Sequence, residues 1–485
     1  MQVAGWTIDL AREQSLPEST LSDWLDRSAR AGYNSVGLYL EHRYAYPSAP
    51  QAAASGCLTP SVASSLVASS PVRVIPFLNT LGHMEGFMRS EGLQWLSEGH
   101  SDGSAQMCPS RPECVSFAQS LVSDALSVFT DEWVHLGGDE TRQLGQCELC
   151  TLRDKSMIYA DYFGSLCKWV LSQGRRPCLW ADMLIEHPEV LDLLPKETVL
   201  FDWQYHQSPL GTSRAFRDAG FDVVCCPAVR SYDSAWCHLD ATYENVDAHS
   251  SASEQIGALG VFVTTWEFSY FTNYFSTLPI IFAAGRRLGG ESWEDALLAE
   301  GGDEFVQMAD IVGRKIEETT PFLASGQWRK IRQNMVLSQD PFRLWRVWRE
   351  EACGPVGDRI LELAGSVTAS SPEIRYPAEF YAFCVNWVRS CEHAYRHYKM
   401  GETESAANVL KAAADSFDTL IDWMGHFSSL GGSAADVHRA MRLKIRVIDV
   451  ASAVSGLQKY LPAFEILSHP AYIPGDQAAW RTGQY

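Results

Sequence analysis

The sequence predicts a (β/α)8 TIM barrel over residues 1–300 followed by an α-helical C-terminal domain over residues 301–485, and three observations predict it. Eight short apolar runs alternate with amphipathic stretches over the first 300 or so residues, the pattern of parallel strands joined by helices. Each run ends in polar or aromatic residues, and in a barrel those ends converge on the face where such folds do chemistry. After about residue 300 the apolar residues fall at helical spacing with no strand alternation.

Taken in order, VAGWTIDL from Val3 leads to Asp9 and Arg12, and SVGLYLE from Ser35 to Glu41 and His42. VRVIPFLN from Val72 leads to Asn79 and His83, and EWVHLGG from Glu132 to Asp139 and Glu140. RPCLWADM from Arg176 carries Trp180 and Asp182, and TVLFDWQY from Thr198 carries Trp203 and Tyr205. FDVVCCPA from Phe221 precedes Tyr232 and Asp233, and LGVFVTTW from Leu259 ends in Trp266 and Glu267. Several runs are apolar on both faces, as strands covered by helices must be. No Gly-rich phosphate loop follows the first, which argues against a dinucleotide fold. The later segments DPFRLWRVWREEA, EFYAFCVNWVRSCEHAYRHY and ESAANVLKAAADSFDTLIDWM read as helices packed on the barrel, with Trp345 and Trp348 as candidates to cover a homodimer interface. The tail HPAYIPGDQAAWRTGQY reads as irregular.

Bulk properties narrow the function. A chain of 485 residues with 46% hydrophobic composition buries a large core, and its formal charge of −20 argues against binding a phosphate backbone. Nucleic acid is therefore excluded as a substrate, and a neutral or cationic partner is favoured. The N-terminus shows no basic region followed by an apolar run, and no stretch of about 18 apolar residues occurs, so a cytoplasmic protein without membrane association is expected. The 13 cysteines are odd in number, and Cys178, Cys225, Cys226 and Cys384 lie inside apolar segments, as reduced core thiols do.

The densest chemistry lies in WVHLGGDET, residues 133–141. In an extended strand His135, Gly137 and Asp139 share a face, which would turn Glu140 away. Both acids face one cavity if Glu140 sits where the strand ends, and the two glycines leave room for a ligand against the backbone.

HLGGDE resembles the His-x-Gly-Gly-Asp-Glu signature of the family 20 glycoside hydrolases, the β-N-acetylhexosaminidases, which are (β/α)8 enzymes. GWTIDLAR resembles that family's first-strand motif, TLGHME its third and TTWEF its eighth, while CPSRPE before the acidic pair is similar in order and spacing. The likeness covers roughly residues 1–300; the helical region is similar only in that bacterial and hexosaminidase D-like members carry helical extensions. It implies an exo-acting enzyme that releases terminal β-linked GlcNAc, GalNAc or both, without a cofactor, by a retaining route in which the substrate's own acetamido oxygen attacks the anomeric carbon. Glu140 then acts as general acid and base, and Asp139 holds the acetamido N–H. The scheme needs Glu140 to carry a proton while Asp139 is ionised, which burial and the neighbouring charge would favour.

The resemblance assigns further positions. Arg12 matches the arginine that holds the sugar's O3 and O4 hydroxyls, and His83 the histidine behind the catalytic acid, with Glu41 placed to pair with it in a Glu41–His83–Glu140 relay. Many members have Asp where Glu41 stands. Trp180, Trp203 and Trp266 suit stacking on a pyranose face and enclosing the acetamido methyl, and Asp182 and Glu267 stand beside them at the same strand ends. Tyr232 is the candidate for holding the acetamido oxygen, with Tyr205 in reserve, and Asp233 for holding a hydroxyl. The family's tyrosine–acid spacing is not reproduced here. His135 reads as a structural support of the loop.

Cys108 and Cys114 precede the acidic pair and Cys147 and Cys150 follow it, and four thiolates can make a structural zinc site; buried free thiols explain them equally. A catalytic metal has no task in this scheme. Three other readings remain: a catalytically inactive amino-sugar-binding barrel, against which the intact Asp139–Glu140 pair argues; an endo-acting chitinase-like glycosidase, whose DxxDxDxE strand is missing; and an interaction protein in which the helical region dominates and the barrel is scaffold.

Overall fold

Each apolar run named above forms a strand in the computed structural model, which describes residues 2–99, 105–232, 234–266, 268, 270–319, 341–342 and 346–456. They are β1 (Val3–Asp9), β2 (Ser35–Tyr39), β3 (Arg73–Phe77), β4 (Trp133–His135), β5 (Arg176–Trp180), β6 (Val199–Trp203), β7 (Asp222–Cys226) and β8 (Gly260–Val263). Each pairs in parallel with the next, and β8 closes on β1.

Alternation sorts the side chains. Tyr39, Phe77, Trp133, Trp180, Phe201 and Phe262 belong to a compact cluster inside the barrel, whereas Trp6, Ile8, Val36 and Leu38 join the larger core under the helices. So many rings fit because small residues face them. A Cβ on Gly5 would stand 2.3 Å from the Phe262 ring, and one on Gly37 2.4 Å from Phe77. Side-chain caps start several of the outer helices, Asp154 accepting the Met157 N–H before Lys155–Ser172 and Ser292 the Asp295 N–H before Trp293–Asp310. That second helix crosses the expected border at residue 300 and turns at Gly302, whose φ of 72° suits glycine.

Helices Pro372–Lys399, Thr403–Ser429 and Ala434–Ser455 follow, each with an apolar stripe buried, while Met441, Ile445 and Ile448 on the last are exposed. Trp348 is buried within the chain, so it covers no interface with a second copy. Trp345 and the tail after residue 456 lie outside the described residues. The helical region docks on the barrel's loops: Arg439 pairs with Glu13 at 2.8 Å, and the Tyr376 hydroxyl donates to the Phe271 carbonyl at 2.5 Å. Among the described residues no helix is long and apolar enough to cross a membrane, and the named core cysteines Cys178, Cys225, Cys226 and Cys384 are all buried.

Candidate active site

The strand ends open into a cavity of about 1040 Å³. Its lining includes Arg12, Glu41, His83, Asp139, Glu140, Trp180, Trp203, Tyr205, Tyr232 and Trp266 from the expected set. Asp233 and Glu267 lie outside the described residues.

Backbone geometry explains how the adjacent acids share the cavity. After β4 the chain passes through Gly137 and Gly138 at φ 77° and 98°, and Glu140 itself has φ 47°. Strict alternation ends there, as the glycines predict. Glu41 (φ 40°) and His83 (φ 54°) take the same left-handed conformation at the ends of β2 and β3. Non-glycine residues hold it only where their surroundings over-determine them, which is a property of functional sites. The Tyr159 hydroxyl anchors the β4 turn by donating to the Gly138 carbonyl at 2.9 Å.

Asp139 and His83 form the central ion pair, Oδ2 to Nε2 at 3.3 Å. Burial alone would lower the His83 imidazole, but the Asp139 carboxylate lifts it to about 10. The reverse holds for Asp139: burial pushes it up, and His83 overrides this and keeps it below the usual carboxylate range. Its second oxygen, Oδ1, is buried and has no hydrogen-bond partner among the described residues. Glu140 is placed differently. Its side chain is 40% exposed, so the burial expected around it is not found; Oε2 is 3.7 Å from His83 Nε2, and Oε1 accepts from Arg142 at 2.9 Å.

The expected relay is therefore reordered. His83 lies closer to Asp139 than to Glu140, and the ion pair of Glu41 runs to Arg12 at 3.6 Å, with His42, lowered to about 4 by burial, 3.9 Å away. Burial, opposed by Arg12, raises the Glu41 carboxyl to about 7. Asp182 also departs from the expected role. It turns beneath the lining, where Oδ2 accepts the Glu140 N–H at 2.9 Å and Oδ1 the Trp203 indole N–H at 3.3 Å. Burial, reinforced by Asp139 and Glu140, raises Asp182 to about 8. It holds the Glu140 amide and the Trp203 indole and is not among the residues lining the cavity.

The aromatic wall is tightly tied. Trp266 packs edge-on against Tyr39 and Trp180, and its indole N–H donates to the Tyr205 hydroxyl at 2.7 Å. The Arg12 guanidinium lies 5.5 Å from the Trp266 ring and 5.2 Å from the Tyr39 ring, a cation–π arrangement that fixes the fork. His135 is structural: it stacks on Phe77, and its Nδ1 accepts the Gly137 N–H at 3.1 Å. Burial lowers it to about 3, so it is neutral.

Among the lining residues that the sequence does not single out are Glu13, Glu85, Arg142, Tyr270 and Arg439. Glu85 stands inside TLGHME and Arg142 two residues past Glu140, so proximity to the motifs is a usable signal for both. Arg439 has none, since it arrives on a helix far along the chain. Asp436 on that helix accepts the N–H groups of Tyr270 and Phe271 at 3.0 and 2.9 Å, and both of those residues have positive φ. The lining holds five arginines and five acidic residues, a balance that suits a neutral polar ligand in spite of the chain's overall charge.

The zinc expectation changes in membership. Cys114 does not join the other three thiols; its Sγ donates to the Leu96 carbonyl at 3.5 Å. Glu98 stands with them instead.

A β-hexosaminidase of Akkermansia muciniphila is 26% identical to this chain over 145 residues, 28% of the chain. The chain matches about a quarter, 26%, of that relative's length. Among solved structures it is similar to an exo β-N-acetylglucosaminidase from Vibrio harveyi, with TM-score 0.47 and 15% identity over 62% of this chain and 57% of that one. It is also similar to a β-N-acetylhexosaminidase from Bacteroides fragilis, with TM-score 0.47 and 15% identity over 58% and 64% of the two chains. The sequence model of the glycosyl hydrolase family 20 catalytic domain matches residues 25–274, more than half of the 485. That stretch contains seven of the eight strands and the acidic pair, and the chain belongs to glycosyl hydrolase family 20.

Proposed function

We propose that the protein is an exo-acting β-N-acetylhexosaminidase that hydrolyses terminal β-linked GlcNAc, GalNAc or both by a retaining, substrate-assisted route. The observation that carries the reading is the division of labour in the Asp139–Glu140 pair. Asp139 is held ionised by His83 and lines the cavity, which is what an acceptor for an acetamido N–H requires. Glu140 is at the exposed rim, where a leaving group departs.

In the first step the acetamido oxygen attacks the anomeric carbon, and the bond to the aglycone oxygen breaks as Glu140 gives that oxygen a proton. The product is a cyclic oxazolinium ion whose positive charge Asp139 stabilises through the N–H. In the second step Glu140 takes a proton from water, the water oxygen bonds to the anomeric carbon, and the ring opens with the β configuration restored. The sugar excludes water from the Glu140 side chain when it binds, supplying the burial that the free site does not have. Arg12, steadied by Asp9 and Glu41 and stacked against Trp266, presents a fork to vicinal hydroxyls of a terminal sugar. Trp180, Trp203 and Trp266 enclose the acetamido group, with Tyr232 and Tyr205 beside them as donors to its oxygen.

The test is hydrolysis of chromogenic β-GlcNAc, β-GalNAc and β-glucoside by wild type, Glu140→Gln and Asp139→Asn. Cleavage confined to the N-acetyl sugars, with both variants losing on the order of 10²-fold or more, is expected. Equal cleavage of the β-glucoside, or active variants, would overturn the reading.

A further inference from the structure

Beside the active-site rim, Glu98, Cys108, Cys147 and Cys150 are all buried, and one ligand-capable atom from each lies within 4.8 Å of the others. The Sγ of Cys108 is 3.4 Å from that of Cys147 and 3.9 Å from that of Cys150. Ligands at about 2.3 Å from a tetrahedral ion stand about 3.8 Å apart, so these separations match atoms gathered around one ion. Cys147 and Cys150 form a short Cys-x-x-Cys chelate, closed by a turn in which the Cys150 N–H donates to the Cys147 carbonyl at 3.0 Å.

Glu98 supplies the second observation. One of its oxygens, Oε1, accepts the N–H groups of Gly145, Gln146 and Cys147 at 3.1, 3.0 and 3.4 Å. The other, Oε2, is buried with no hydrogen-bond partner among the described residues. Leaving a carboxylate oxygen buried and unmatched is costly, and a cation removes that cost. An outer layer is also in place: Ser110 Oγ is 3.1 Å from Cys150 Sγ and accepts from Arg153 at 2.9 Å, bringing a positive charge toward a thiolate-rich centre.

We propose that Glu98, Cys108, Cys147 and Cys150 bind one structural zinc ion. Binding releases one proton from each of the three thiols to solvent, giving a Zn–S3O centre with all four positions filled by protein. Its role is to tie the chain after β3 to the chain after β4. Gln106 and Gln143 on those two segments already exchange a hydrogen bond at 3.0 Å, and both line the cavity. The inference is independent of which sugar that cavity accepts.

The full-length protein is loaded with zinc under reducing conditions, passed through a desalting column and assayed for metal and thiols. About one zinc per chain is expected, kept by Cys114→Ser and lost by Cys150→Ser and Glu98→Gln. Less than about 0.1 zinc per chain in the wild type, from the one-ion stoichiometry, would overturn the proposal, as would a Cys108–Cys147 disulfide in peptide maps of the reduced-and-loaded protein. Should the ligand variants not fold, cobalt loading of the wild type decides: tetrahedral d–d bands with thiolate charge transfer support the site, and an octahedral spectrum refutes it.

Discussion

Replacing Asp436 by alanine tests whether the helical region builds the active site or only covers the barrel. Asp436 is buried, accepts two N–H groups from Tyr270 and Phe271, and pairs with Arg439 at 2.8 Å. Each N–H left buried and unmatched costs about 1–3 kcal/mol. The two aromatic residues are held at φ 55° and 73°, conformations that persist only under such constraint. Arg439 retains Glu13, at 2.8 Å through both guanidinium nitrogens, which offsets part of the loss. The expected destabilisation is about 3–5 kcal/mol, the range for removing one partner of a buried ion pair. Asp436→Asn, which keeps one acceptor oxygen, should cost about 1–2 kcal/mol. Because Tyr270 and Arg439 line the cavity, KM for a chromogenic N-acetylhexosaminide should rise in both variants when measured well below the melting temperature. Denaturant titration gives the first quantity and steady-state kinetics the second. A loss below about 1 kcal/mol, within the range of ordinary substitutions, together with an unchanged KM would refute the reasoning.

Two further outcomes follow from the β4 and β5 ends. The Asp182 carboxyl is raised to about 8 by burial and by Asp139 and Glu140, so the folded state holds its proton more tightly than the unfolded chain does. The stability it contributes is then fully present below about pH 4 and lost as pH rises through about 8; Asp182→Asn should flatten that decline in Tm, leaving the part due to Glu41, and an unchanged slope would contradict the assignment. At Gly138 a Cβ would stand 2.8 Å from the Tyr159 hydroxyl and 3.2 Å from Phe163 on a backbone at φ 98°. Gly138→Ala should therefore displace the acidic pair and lower kcat/KM on the order of 10²-fold, as misplacement by about an ångström does; activity within about twofold of wild type would count against it.

Periodicity located all eight strands because a strand buried on both faces writes its character into consecutive residues. The acidic pair, the tryptophans and Arg12 were legible because they sit at the ends of those strands, and barrel closure alone brings strand ends together. What was missed depends on contacts that no local pattern encodes. Asp182 follows Trp180 at the end of β5, yet the chain turns it under the Glu140 amide. His83 and Glu41 face the same cavity, but which group each pairs with depends on distances of 3.3 to 3.7 Å rather than on order along the chain. Glu98 joins Cys108 and the Cys-x-x-Cys pair Cys147 and Cys150, while Cys114, six residues after Cys108, points to a backbone carbonyl instead. Arg439 reaches Glu13 across 426 residues, and helical periodicity says only that its helix packs, not against what.

If the substrate's acetamido oxygen is the nucleophile, as proposed, its nucleophilicity can be varied without touching the protein. A series of chromogenic β-glucosaminides bearing acetyl, fluoroacetyl, difluoroacetyl and trifluoroacetyl groups on the 2-amino nitrogen withdraws electron density from that oxygen stepwise. kcat/KM should fall steeply and monotonically with each added fluorine, while KM changes little. A flat series would contradict it, since a carboxylate or a water attacking directly does not sense the acyl group.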